Sequence, residues 1–464
     1  MKVTLLGAAG DVTGSAYYIE NGSSRVLLDF GMFQGVRRAE ELNILPPQID
    51  IARLDAVVLT HAHLDHTGRL PLLTKAGYKG PIYATPASID LTGLILKDSA
   101  KIQTNDIERT NRKRALHGAP PLAPLYTTPD VEAVLKLLRP LPYDGEIEVA
   151  PNIAVQLVEA GHILGSASIG VMLDHPTGRR TVVFSGDIGP KGAPVLRDAQ
   201  CFVKADVVFL ESTYGDRDHR PLDETVDEFR GIVKTAVERR GKILIPAFAV
   251  GRTQQLIYFL SGFFRNGDVP PFPIHIDSPM AVEASKIYNA HPELYDVEAD
   301  ALRRSGEMLA GLKMVNFSVT PQESMALNDA PGPCMIIAGS GMCNAGRILH
   351  HLRHNLGKPE TSIIMVGFQS EGTIGRQIVD RRPEVSIFGE KHPVRAAVHT
   401  LGGFSAHAGQ TELLDWLGCA AHAKPRVYLT HGEAKGRVPL AAKIQERFGL
   451  TAHLPLLNDV VTIV

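Results

Sequence analysis

Long hydrophobic runs are missing from this 464-residue chain. No stretch approaches the roughly 20 apolar residues that span a bilayer. The start, Met1-Lys2-Val3-Thr4-Leu5-Leu6-Gly7, lacks the apolar core of a signal peptide. Cysteine is scarce: Cys201, Cys334, Cys343 and Cys419 form no CxxC pair. This argues against a zinc ribbon or a disulfide framework, and four free thiols fit a reducing compartment. An excess of charge is also missing, 48 Lys and Arg standing against 50 Asp and Glu. Any binding of nucleic acid must therefore come from a local patch. Glycine and proline are scattered, with no repeat or low-complexity segment. The expectation is a cytoplasmic globular protein without a membrane partner, long enough for two or three domains. One basic cluster stands out, Arg109, Arg112, Lys113 and Arg114. A solvated helix end explains it as well as a phosphate contact does.

Histidine is where the chain is dense. His61-Ala62-His63-Leu64-Asp65-His66 follows the apolar run Ala56-Val57-Val58-Leu59, which reads as a buried strand. His61 and His63 alternate, so an extended backbone points both the same way. Asp65 and His66 follow on a turn and can face a second metal about 3.5–4 Å from the first. Imidazole mixed with carboxylate suits zinc better than magnesium or calcium, and leaves manganese open.

The first third reads as short strands (Val3–Leu6, Ala16–Glu20, Arg25–Asp29, Ala56–Thr60, Ile153–Glu159, Ala167–Leu173, Thr181–Ser185) interrupted by helices over Ser88–Asp106 and Asp130–Leu138. Polar residues sit just past strand ends: Asp29, His61 to His66, His162 and Asp187. Such ends are where α/β proteins place chemistry. From about Asp206 to His392, strands alternate with amphipathic helices, beginning with Val207–Leu210 before Asp223–Arg239. That alternation implies a parallel, doubly wound sheet. Val394–Val398 and Val427–Thr430 then return to strands.

Thr60-His61-Ala62-His63-Leu64-Asp65-His66-Thr67-Gly68, Ala160-Gly161-His162-Ile163-Leu164-Gly165-Ser166 and Phe184-Ser185-Gly186-Asp187 resemble the metallo-β-lactamase superfamily. The resemblance implies one zinc on His61, His63 and His162, another on Asp65, His66 and His431, with Asp187 bridging. Asp29 would orient a ligand from behind. Leu210-Glu211-Ser212-Thr213-Tyr214-Gly215, Phe404-Ser405-Ala406-His407-Ala408-Gly409 and Leu429-Thr430-His431-Gly432-Glu433 resemble motifs A, B and C of the β-CASP nucleases. Gly339-Ser340-Gly341-Met342 with Gly346-Arg347, and Gly251-Arg252-Thr253-Gln254-Gln255, are similar to further family features. The implied fold is α/β: a metallo-β-lactamase αββα sandwich from residues 1–205 and 394–464, with a doubly wound parallel-sheet β-CASP domain inserted at 206–393.

Histidine at motif C is similar to RNA-processing members, the DNA-repair members carrying an apolar residue there. An amino-terminal KH extension and the extra carboxy-terminal domain of RNase J are not seen. The expectation is a minimal enzyme resembling the endonuclease subunit of the pre-mRNA 3′-end cleavage factor and its minimal bacterial relatives. The implied activity is zinc-dependent hydrolysis of single-stranded RNA, endonucleolytic, with 5′-exonuclease action and a homodimer left open.

The chemistry explains the donors. Two zinc ions neutralise phosphodiester charge and lower the pKa of a bridging water from about 15.7 towards 7, which makes a bridging hydroxide the expected nucleophile. His407, held by Glu211, is expected to protonate the leaving oxygen. Asp65 and Asp29 complete the carboxylates on which catalysis is expected to depend. Ser340, Gly341, Arg347, Arg376 and Ser405, in glycine-rich turns beside helix starts, are candidate RNA phosphate donors, tight turn geometry being the alternative. His350, His351 and His354 follow a helical face that is solvated or partly buried. A hydrolase of a small ester or thioester could share the dinuclear core but would not carry the inserted motifs. An RNA-binding scaffold would have lost metal ligands. A dinucleotide-binding reading of Gly7-Ala8-Ala9-Gly10 fails, because the GxGxxG spacing is absent and Ala16-Tyr17-Tyr18-Ile19 reads as a strand.

Overall fold

The computed structural model describes residues 1–35, 39–176, 178–307, 312–367, 369 and 372–463. These form two compact units: Met1–Lys191, Asp198–Asp218 and His407–Val464 in the first, Gly192–Arg197 and His219–Ala406 in the second.

The first unit holds two seven-stranded sheets. One runs Val460–Thr462, Lys2–Gly7, Ala16–Asn21, Ser24–Leu28, Ala56–Val58, Ile82–Ala84, Leu138–Pro140. The other runs Ala452–His453, Arg426–Thr430, Val207–Glu211, Arg180–Phe184, Ala167–Leu173, Ile153–Glu159, Glu146–Ala150. Period-2 side chains assemble the layers. Val26, Leu28, Ala56 and Val58 meet Ile169, Val171, Val182 and Phe209 between the sheets. Leu27 and Val57 point the other way, onto Leu70, Leu73, Leu96, Val131 and Val134 of the helices Leu70–Lys75, Pro86–Leu116 and Thr128–Leu135. Val183, Val208 and Leu210 do the same against Leu413, Leu417, Leu440 and Ile444 of the helices Gln410–Ala421 and Ala434–Phe448. The result is the expected αββα sandwich.

The second unit is built on six parallel strands in the order Val315–Phe317, Ile274–Ile276, Cys334–Ala338, Lys242–Pro246, Ser362–Met365, Ala397–Thr400. Ile243 and Ile245 face a core with Phe229, Leu256 and Leu260, while Leu244 faces another with Ile348, Leu352 and Ile378. Helices therefore cover both faces, as a parallel sheet requires.

Several expectations need correction. Val207–Glu211 opens the alternating pattern in the sequence, yet it pairs in parallel with Arg180–Phe184 and Arg426–Thr430 of the first unit. Ala397–Thr400, expected in the return segment, pairs with Ser362–Met365 of the second. The units accordingly divide near 218/219 and 406/407 rather than 205/206 and 393/394. Strand partners that decide such boundaries lie far away in sequence, where local periodicity cannot see them. The helix expected over Ser88–Asp106 runs Pro86–Leu116, its polar second half having no apolar period to announce it. The helix expected over Asp130–Leu138 stops at Leu135, and Leu138 begins a strand.

The cysteine expectation is half corrected. Cys201 and Cys419, 218 residues apart, are disulfide-bonded with a Cα–Cα distance of 6.2 Å. Only Cys334 and Cys343 are free, and both are buried. No described helix is long and apolar enough to cross a membrane.

Candidate metal centre

The donors gather where strands of the first unit end. Ser24–Leu28 delivers Asp29, Ala56–Val58 delivers Thr60 to His66, Ile153–Glu159 delivers His162, Arg180–Phe184 delivers Asp187, and Arg426–Thr430 delivers His431. His61, His66, His162, Asp187 and His431 are buried; His63, Asp65 and His407 form a half-buried rim.

The backbone there is close-packed. A Cβ at Gly31 would lie 1.5 Å from the Asp65 carbonyl oxygen, and one at Gly189 would lie 1.9 Å from that of Gly161. Arg69 is the brace. Its guanidinium is almost fully buried and lies over the Phe30 ring at 4.4 Å and the Phe33 ring at 4.8 Å. It donates to the carbonyl oxygens of Gly31, Leu42, Leu6 and Gly14. Burial without a carboxylate pulls its pKa down to about 9. Arg69→Met is expected to cost about 3–4 kcal/mol, because several buried carbonyls lose their donor at once. Urea unfolding followed by circular dichroism checks this, and a cost below about 1 kcal/mol would refute the bracing role.

Two pockets of donor atoms result. His63 Nδ1 lies 3.1 Å from His61 Nε2 and 3.1 Å from His162 Nε2. Asp187 Oδ2 is 3.6 Å from both of those Nε2 atoms. On the other side His66 Nε2 and His431 Nε2 are 3.2 Å apart. Asp187 Oδ1 is 3.3 Å from the first and 3.5 Å from the second, and Asp65 Oδ2 is 3.5 Å from His431 Nε2. Each carboxylate oxygen of Asp187 thus serves one pocket.

The donor set fits metal ions better than hydrogen bonds. One proton on His63 Nδ1 cannot serve both neighbouring imidazoles, and Asp187 Oδ1 is buried without a hydrogen-bond donor. Tetrahedral ligands about 2.0–2.1 Å from an ion sit roughly 3.3 Å from one another, close to the spacings found.

Neighbouring groups orient the imidazoles. Asp29 accepts from Thr60 N and Thr60 Oγ1 at 2.8 Å each and lies 2.8 Å from His66 Nδ1. This puts the His66 proton on Nδ1 and leaves Nε2 open to the pocket. Asp29 therefore lies behind the donors, against the far nitrogen of His66. Thr213 Oγ1 meets His431 Nδ1 at 3.2 Å, and Thr60 Oγ1 meets His61 Nδ1 at 3.1 Å. Thr60 and Thr213 sit inside motifs whose other residues draw the eye; a hydroxyl beside an imidazole gives no signal of its own in sequence.

Electrostatics follow from the crowding. Burial, reinforced by neighbouring His66, holds His61 well below the usual histidine range. Burial alone would do the same to His66, but Asp187 and Asp29 outweigh it and raise it. Burial would raise Asp65, yet its bond to His431 and the charge of His66 hold it at about 2. Asp187 stays ionised against its burial because His431, His66 and His61 surround it.

His407 stands at the edge, its Nδ1 3.2 Å from Glu211 Oε1 and its Nε2 3.9 Å from Asp187 Oδ2. Glu211 is fixed in turn by Ile188 N at 2.8 Å and Thr213 N at 3.3 Å. Burial works against protonation of His407, but Glu211 and Asp187 raise it to about 9.

The phosphate candidates belong to the second unit. Arg347 donates to Asp277 at 2.7 Å and to the carbonyl oxygens of Ser318 and Val319, which ties three of its five N–H groups to the fold. His351 is buried against the same Asp277 at 2.7 Å. Arg376 pairs with Asp380 at 2.9 Å. Ser340 Oγ accepts from Asn344 N and Ala345 N and closes its own turn, and the Gly341 carbonyl accepts from Gln369. Ser405 is half-buried.

An αββα sandwich that brings five imidazoles and two carboxylates into adjoining pockets defines a metal-dependent hydrolase. Residues 9–247 match the metallo-beta-lactamase superfamily, 253–378 the Beta-Casp domain and 391–455 the Zn-dependent metallo-hydrolase RNA specificity domain. The chain belongs to the metallo-β-lactamase superfamily and carries its β-CASP insertion. It is 43% identical to Ribonuclease TTHA0252 of Thermus thermophilus over 93% of each chain. It is 31% identical to the transcription termination factor FttA of Pyrococcus abyssi, over 100% of this chain and 71% of that one. A protein of unknown function from Enterococcus faecalis V583 shares the fold, with TM-score 0.56 and 12% identity over 100% of this chain and 99% of its own.

Proposed function

We propose that this protein is a dinuclear-zinc ribonuclease that cuts single-stranded RNA internally. The observation that carries the reading is Asp187, one oxygen to each of two imidazole pockets, with the His407–Glu211 pair beside them. The Thermus relative, named a ribonuclease, supports RNA as the substrate. Five imidazole nitrogens among the donors favour zinc over magnesium.

Two divalent ions held there would supply Lewis-acid charge against the phosphodiester and a water acidified towards neutral pH. The remaining work belongs to side chains. Asp29, Thr60 and Thr213 hold imidazoles with the donor nitrogen facing inward. Glu211 fixes His407 through Nδ1, which leaves Nε2 facing the centre. From there His407 gives a proton to the departing sugar oxygen. Ser340, Gly341, Arg376 and Ser405 remain the groups we propose for flanking phosphates.

The test is a gel of 5′-labelled and 3′-labelled single-stranded RNA, comparing wild type with Asp65→Ala. Zinc-dependent internal cuts by wild type alone are the expected result. Progressive mononucleotide release would replace internal cutting by exonuclease action. A fully metallated protein that leaves RNA intact would refute the reading.

A further inference from the structure

The helix Pro86–Leu116 does two unrelated things. Its first half packs: Leu91, Ile95, Leu96 and Ala100 are buried. From Lys101 to Leu125 no residue is buried. A half-helix without a core face is normally marginal in water, yet this one is held in place. Asn111 donates to the Leu122 carbonyl and accepts from Leu122 N, both at 2.8 Å, and Arg114 Nε donates to the Pro120 carbonyl at 2.8 Å. The segment Ala119–Leu125 is thereby strapped back along the helix.

What the strapped helix end presents is mostly positive charge, with Asp106 and Glu108 just before it. From Arg109 to Pro129 the sequence has four cations and no carboxylate, in a chain whose net charge is −2. Arg109, Arg112 and Lys113 stand at i, i+3 and i+4, which places them on one face. All three are exposed. Arg109 has a single ion pair, to Asp106 at 4.0 Å, and among the described residues Arg112 and Lys113 form none. Cations at a helix end favour the macrodipole, but that needs neither three of them on one face nor a strap.

We propose that this tip is a second RNA-binding site, remote from the metal centre, that grips the backbone of long substrates. The inference rests on the ribonuclease reading for the identity of the polyanion. The partner follows from charge complementarity: a stripe of exposed guanidinium and ammonium groups matches a line of phosphates. A membrane surface fits less well, because the exposed large apolar residues there, Ile102, Leu116 and Leu122, are interspersed with charged and polar ones and form no continuous apolar face.

Geometry sets the length of RNA that can use the site. The helix starts beside the His162 loop, where Thr85 Oγ1 and Ser88 Oγ donate to the Gly165 carbonyl at 2.6 and 2.8 Å. Arg112 lies 26 residues past Pro86, about 40 Å along the axis at 1.5 Å per residue. A stacked strand advances about 3.4 Å per nucleotide, so roughly 12 stacked nucleotides, or fewer in an extended strand, separate the cut from the grip.

The test compares the protein with its Arg109→Ser/Arg112→Ser/Lys113→Ser variant on single-stranded RNAs of about 4 and about 40 nucleotides, too short and amply long to reach from the cut to the grip. Binding is read by fluorescence anisotropy against salt in an Asp65→Asn background, and cleavage separately with Asp65 intact. On the long RNA the slope of log K against log salt should fall by about 2, since each of three phosphate contacts contributes about 0.7. The short RNA should be bound and cut as before, with unchanged metal content. Equal losses on both lengths, or none on either, overturn the proposal. So does a variant that loses binding to anionic phosphatidylserine vesicles while keeping its RNA slope. Should wild type fail to cleave any RNA, the ribonuclease reading falls while the binding arm still decides the second site.

Discussion

Asp187→Asn is expected to slow RNA hydrolysis by at least about 10³-fold, because the two-metal site supplies several kcal/mol of charge stabilisation and each 1.36 kcal/mol is tenfold. It is also expected to leave the purified chain with less than one tightly held ion. The reason is position. The two oxygens of Asp187 lie 3.3–3.6 Å from the Nε2 atoms of His61, His66, His162 and His431, so the residue belongs to both pockets. Asparagine keeps the shape but removes the negative charge and turns one end into a donor aimed at imidazole lone pairs. A chelator should lower the melting temperature of wild type, since ions bound only by the folded state stabilise it by mass action. The same chelator should leave the melting temperature of Asp187→Asn almost unchanged, there being little metal to remove. Plasma emission spectroscopy, a gel assay and paired melts read all three effects. Two retained ions with near wild-type cleavage would falsify the bridging role.

The centre was legible in sequence to the extent that one strand end carries several donors. His61, His63, Asp65 and His66 sit in six residues, and a period of two already aims His61 and His63 together. His162, Asp187 and His431 each stand alone in sequence and were assigned through resemblance to a family. Their convergence depends on strands more than 200 residues apart lying side by side, such as Val207–Glu211 and Arg426–Thr430. The same kind of distance hid the Cys201–Cys419 bond. Arg69 was missed for another reason. An arginine two residues past a helical turn reads as a surface charge, and only the aromatic walls of Phe30 and Phe33 make it a buried brace. Arg347 shows the reverse. A basic residue after a glycine-rich turn invites a phosphate, and only the fold reveals that it also pairs with buried Asp277.

His407→Ala should lower kcat on RNA by about 10²–10³-fold, within the usual range for a general acid, while metal content and KM hold. The histidine is not needed to complete either imidazole pocket, and its Nε2 is 3.9 Å from the nearest Asp187 oxygen. What it offers is a proton at the rim of the site. Glu211→Gln should fall between wild type and His407→Ala, since the imidazole remains but loses the carboxylate that favours its charged form. The double variant should be no worse than His407→Ala, because Glu211 would act only through its partner. A change of leaving group separates this role from a structural one. A p-nitrophenyl phosphodiester releases p-nitrophenolate, a stable anion that needs no proton, so its hydrolysis should survive His407→Ala far better than RNA cleavage does. Equal defects on both substrates, or loss of an ion from His407→Ala, would make His407 a ligand or a packing residue instead of the acid.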